Sequence, residues 1–253
     1  MNNSSPSNED LQKSHAPSTI RERLETGTKH SYLKDFVYGA IDGSVTTFAV
    51  VSGVVGAGLS SNVIIVLGLA NLLADGFSMA VGNFLGTRTE EQFKEKIRKA
   101  EEGHIRDVPE GEKEEIRQIF ASKGFAGEDL ERAVQIITSN QKQWVDTMIQ
   151  EEFGLALNGP SPVKAALLTF VSFITVGSLS LMVFLYEWMG ATRVEHAFFV
   201  SAAMTGLAFF IVGAMKGKLV GQRWYLSGLE TLSVGAIASS LAYGVGAFLK
   251  SIV

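Results

Sequence analysis

The sequence predicts an all-α membrane protein: five transmembrane helices with a cytoplasmic helical insert between helices two and three. Three observations carry this. The 253 residues are 46% hydrophobic but only 19% charged. Five apolar stretches of 18 residues or more can be read directly, each long enough to cross a bilayer. The stretch 87–159 instead holds 16 of the chain's 26 acidic residues, with 11 basic ones, and so reads as water-exposed. The chain divides accordingly into a tail over 1–30, helices one and two over 31–86, the insert over 87–160, and helices three to five over 161–253.

The tail is polar, rich in Ser, Asn and Pro, and lacks an apolar h-region, so it reads as a mostly disordered cytoplasmic segment without a cleavable secretory signal. A short amphipathic helix is expected over 19–29 within it. The first span is expected over 33–59, with Gly39 and Gly43 flanking Asp42 in a small-residue pattern that lets another backbone approach. Ser60-Ser61-Asn62 leaves room only for a tight turn, so the second span, 63–86, returns antiparallel.

Within the insert one helix is expected to continue out of span two to about Gly103. A second starts with Pro109 at its first position and stops at Gly124. A third covers 128–139 and a fourth 142–157. Spans three, four and five follow over 163–186, 197–215 and 226–249. His196 at the mouth of span four and Glu230 one turn inside span five read as surface-level groups, with a proton path as the alternative. Arg21, Arg23, Lys29 and Lys34 precede span one, and Lys216, Lys218 and Arg223 lie between spans four and five. This asymmetry predicts a cytoplasmic N-terminus and insert.

The second span carries the anomaly around which the chain is organised. In LANLLADGFSMAVGNFLG, Asn71, Asp75 and Met79 stand at i, i+4 and i+8 and share one helix face. A carboxylate at mid-membrane costs about 2.5–3.5 kcal/mol on insertion scales. Asp42 repeats that cost in the first span, and a cation or proton is the simplest way to offset both. The thioether of Met79 suits a transition metal and not a calcium ion. Cysteine is absent, so a metal must use carboxylate, imidazole, amide or thioether groups. The net charge of −4 argues against nucleic acid as a partner.

The insert offers further ligands. Glu101 and His104 are at i, i+3, as are Glu112 and Glu115, while Met148 and Glu152 are at i, i+4, so each pair can share one helix face. Charge-rich helices are more often solvated faces. Glu101-x-x-His104 also resembles half of a di-iron carboxylate site, but no other histidine supplies the second half.

The ordered set YGAIDGSVTTFAVVSG, ADGFSMAVGNFLG, VPEGEKEEI, WVDTMIQEEFGL and ETLSVGAIASS resembles the vacuolar iron transporter family over nearly the whole chain after residue 30. The resemblance implies a homodimer of five-span subunits that moves ferrous iron, and often manganese, out of the cytoplasm in exchange for protons. It also implies cytoplasmic helices that collect metal for a path along the dimer axis. Position by position, Asp42 and Met79 match the path's acid and thioether, and Glu101, Glu112, Glu115, Met148 and Glu152 match cytoplasmic metal-binding positions. Three positions depart: Asn71 and His104 stand where well-studied members have Glu, and Ile149 where they have a second Met. Helical spacing suggests that Asp75 replaces the carboxylate missing at Asn71.

The leading expectation is therefore a proton-coupled exporter of divalent transition metal, with ferrous iron, manganese, cobalt and zinc as candidate cargo and no resident cofactor. The expected location is a plasma or vacuolar membrane. A membrane-anchored di-iron oxidase and a non-transporting scaffold are the alternatives.

Overall fold

The computed structural model describes residues 7–26 and 31–252, which separate into two units, 1–31 and 32–253. In the first, the polar tail forms two short helices, α1 (Asn8–Ser14) and α2 (Pro17–Thr26), where its composition predicted disorder. Local chemistry accounts for them: Lys13 pairs with Glu9 at 3.0 Å one turn away, and Pro17 occupies a first helical position. The end of the helix expected over 19–29, including Lys29, lies outside the described residues, as does Val253.

The second unit is built around α3 (Leu33–Gly56), which touches four other long helices: α4 (Ser61–Asp107), α8 (Pro162–Gly177), α10 (Ala197–Leu219) and α11 (Trp224–Lys250). Small side chains permit this. Gly43 lies directly on the backbone of Phe173 in α8, and Gly246 of α11 lies on the Gly53 carbonyl of α3. A Cβ at either position would collide with backbone. Such close approach is how helices associate where lipid removes the hydrophobic drive between them. Phe48, Val51, Ile64, Leu72, Phe173 and Leu181 fill the remaining space as one buried cluster. All five spans have the length and apolarity to cross a membrane.

Two of the long helices depart from their expected ends in ways that shape the fold. The third span breaks after Gly177 into a single 3-10 turn, Ser178–Ser180, before a short α9 (Met182–Trp188). The hydroxyls of Ser178 and Ser180 donate to the carbonyls of Thr175 and Gly177, and Ser201 of α10 donates to the Ser180 carbonyl at 2.6 Å. Side-chain hydroxyls thus compete for the carbonyls that a continuing helix would use. In the other direction, α4 continues four residues past Gly103 as one unbroken helix of 47 residues, about 70 Å long.

Outside the apolar segments, α5 (Pro109–Ser122), α6 (Gly127–Thr138) and α7 (Gln141–Glu151) pack on one another and on the polar half of α4. Ile116, Val134, Ile137, Trp144 and Met148 form one buried cluster, and Ile97, Val145 and Ile149 form a second against α4. Each such side chain contributes about 1.5–3 kcal/mol when fully buried. Two polar clamps add direction: Arg98 pairs with Asp146 at 2.5 Å, and the Lys94 ammonium donates to the Leu157 carbonyl at 2.6 Å. Asn140 caps α7 by accepting from the Gln143 amide at 3.1 Å. That helix ends six residues earlier than expected, because Gly154 takes a left-handed conformation (φ 64°) and turns the chain back.

Candidate metal sites

The polar positions of the first two spans come together. Asp42 on α3 and Asp75 on α4 lie close enough for their charges to act on each other. Asn71, Asp75 and Met79 are all half-buried along one stripe of α4, with Leu73, Phe77, Val81 and Leu85 exposed beside it. The Asn71 amide nitrogen is buried without a hydrogen-bond partner, and Met79 packs against the apolar core.

Two residues on this face escaped the sequence reading. Asp35, only 8% exposed, accepts a hydrogen bond from Asn83 at 2.8 Å, and the same Asn83 amide donates to Thr169 of α8 at 2.8 Å. Asn83 thus ties α4 to both α3 and α8. Periodicity could have found both residues. Asp35 precedes Asp42 by two helical turns, and Asn83 extends the Asn71–Asp75–Met79 stripe by one more step of four.

In the insert, Glu101 and His104 of α4 meet Glu112 of α5. One ligand atom from each lies within 4.8 Å of the others. The His104 Nδ1 stands 3.5 Å from Oε1 of Glu101 and 3.5 Å from Oε1 of Glu112. Both glutamates are buried, at 3% and 4% exposure, and the Oε2 of each has no hydrogen-bond partner. The turn at Val108 and Pro109 makes this meeting possible, since Pro109 starts α5 as α4 ends.

Burial pushes the Glu112 carboxyl up to about 7, reinforced by the charges of Glu101 and Glu115 and opposed by His104. Glu101 is raised for the same first reason, then by the charge of Glu152. Glu152 is raised by burial and by Glu115 and Glu112. Glu115 and Glu152 therefore sit within electrostatic reach of the cluster from α5 and from the end of α7. Met148, one turn before Glu152, is fully buried beside Ile116, Val134, Ile137 and Trp144.

The two outlying polar residues are both solvent- or lipid-exposed. Glu230 pairs with Lys216 at 3.2 Å across α10 and α11. His196 occupies the N-cap of α10 in a left-handed backbone conformation (φ 64°) and sets its ring against Phe199.

The fold and its sites define a helical membrane protein with neighbouring carboxylates on its first two spans and a second acidic pocket where α4 meets α5. The chain belongs to the VIT family, whose model matches residues 33–247. It is similar to proteins named vacuolar iron transporter. That of Toxoplasma gondii is 37% identical over 235 residues, covering 90% of this chain and 78% of the relative. Vacuolar iron transporter 1 of Tulipa gesneriana is 30% identical over 247 residues (98% and 96%), and that of Arabidopsis thaliana 30% over 217 (85% and 85%).

Proposed function

We propose that this protein carries divalent transition-metal ions, ferrous iron foremost and manganese as a second cargo, out of the cytoplasm in exchange for protons. The observation that carries the reading is that Asp42 and Asp75, on two neighbouring apolar helices, lie within electrostatic reach of each other. Two carboxylates balance one divalent cation, and without it their repulsion and desolvation are expensive. The names of the relatives support iron as the cargo.

In this reading the insert lies in the cytoplasm, where Glu101, His104 and Glu112, with Glu115 and Glu152 nearby, capture the ion. It then passes to Asp75, Asp42 and Met79, with Asn71 as a neutral oxygen ligand. Protons arriving from the far side compete for the same carboxylate lone pairs and release the metal. The protein acts as a homodimer. A lone protomer leaves the stripe of Asn71, Asp75 and Met79 only half-covered between exposed apolar residues of α4, and a second copy would close it. The membrane is vacuolar or plasma membrane.

The di-iron oxidase reading has no second Glu-x-x-His to stand on, since the described cluster holds a single histidine. Reconstitution tests the transport reading. Purified protein in liposomes is expected to move Fe2+ and Mn2+, faster when a pH gradient supplies protons from the opposite side. No metal movement under any gradient would return the chain to a scaffold, and movement indifferent to pH would remove the proton coupling.

A further inference from the structure

We propose that His104 makes the pocket between α4 and α5 selective for divalent ions that favour nitrogen, such as Fe2+, Co2+ and Zn2+, over Mn2+ and Mg2+. This rests on the reading of the protein as a divalent-metal carrier and specifies where its choice among metals is made.

The donor set is unsymmetrical. Two buried carboxylates face one imidazole, and no lysine or arginine pairs with either glutamate among the described residues. Each glutamate keeps Oε2 buried and without a donor from another residue, which is costly unless a proton or a cation takes up the lone pairs. The two separations from His104 fit an ion of small radius. Ligands about 2.1 Å from a tetrahedral centre stand about 3.4 Å apart. The Nδ1 of His104 lies 3.5 Å from an oxygen of each glutamate. The His104 side chain is also 57% exposed, so an ion can reach the pocket from solvent along the imidazole.

Carboxylate and water ligands suit Mg2+ and Mn2+, whereas imidazole adds the preference that rises from Mn2+ through Fe2+ to Co2+. Glu115 and Glu152 bring further negative charge, which strengthens binding of every divalent ion alike and does not discriminate. Among the groups placed at this pocket, the only nitrogen donor is His104. It is therefore the residue whose identity sets the ratio of affinities.

The test uses the full chain in detergent, with Co2+ and Mn2+ titrated separately in an Asp42→Ala background so that the membrane path does not contribute. The parent is expected to prefer Co2+, and visible absorption of the bound Co2+ should report nitrogen ligation. His104→Glu should retain Mn2+ binding while the Co2+ to Mn2+ affinity ratio falls about tenfold. An unchanged ratio in His104→Glu, with binding intact, would overturn the proposal. So would Co2+ binding that survives Glu101→Gln with Glu112→Gln, because the pocket would then not be the site. Loss of the ratio in His104→Glu from a protein that moves no metal in liposomes would uphold the selectivity and sink only the transport reading.

Discussion

Glu112 faces Glu101 across the junction of α4 and α5, and each carboxylate keeps one oxygen buried without a hydrogen-bond partner. The folded protein therefore holds protons here that the unfolded chain would release. The Glu112 carboxyl moves from an ordinary 4.5 up to about 7, chiefly through burial, and Glu101 and Glu152 move in the same direction. A carboxyl raised on folding contributes stability that is fully present below its unfolded value and is lost as pH rises through its folded value. The metal-free protein should accordingly lose thermal stability between about pH 4.5 and 7. Added Co2+ should raise the melting temperature more at pH 8 than at pH 5.5, because only the deprotonated pocket accepts it. Glu112→Gln should flatten the metal-free pH profile. A wild-type profile already flat over that window would contradict the assignment.

Asp42→Ala should reduce metal uptake in liposomes to background while the protein remains folded. Removing an intramembrane charge relieves an insertion cost of about 2.5–3.5 kcal/mol, so loss of activity would not be a folding defect. Near-normal uptake with a normal elution profile would take Asp42 out of the path.

The stripe on α4 yields a paired prediction. If Asp75 supplies the carboxylate that balances the ion with Asp42, then Asp75→Asn should stop uptake and Asn71→Glu should be tolerated. Combining the two moves the charge by one helical turn and should restore part of the activity. Uptake by Asp75→Asn at the parent rate would leave Asn71 to complete the site as a neutral ligand.

Asn83 should matter for stability as well as position. Asn83→Ala leaves the buried Asp35 oxygen without its donor, at a cost of about 1–3 kcal/mol. Asn83→Asp should cost more, because it sets a second carboxylate against the first. Thermal unfolding in detergent reads both, and the reverse order would show that Asp35 is protonated or paired elsewhere.

Hydropathy made the five spans legible because each must be apolar over its whole length. The break at Gly177 was not, since Ser178, Leu179 and Ser180 interrupt the helix through hydroxyl bonds without lowering apolarity enough to register. Spacing paired Glu101 with His104, and Glu112 with Glu115, within single helices. It could not show that Glu112 crosses to the α4 pair, because that depends on the angle at Val108. Asp35 and Asn83 went unread although their spacing from Asp42 and Met79 marks them, and their bond across two helices shows only in the fold. Met148 read as a ligand by its spacing from Glu152 and its match to the family, and its packing with Ile116, Val134 and Trp144 is a tertiary contact that spacing does not show.

The unbroken α4 also works as a gauge. Eighteen residues separate Asn83 from Glu101, which is five full turns and about 27 Å, so the lower end of the polar stripe and the acidic pocket are in phase. Adding or removing one residue between them would rotate one site by about 100° against the other, whereas a seven-residue insertion would shift the phase by only about 20°. Lineages carrying this architecture should therefore vary the length of α4 in steps that keep this phase, such as about seven or about eleven residues.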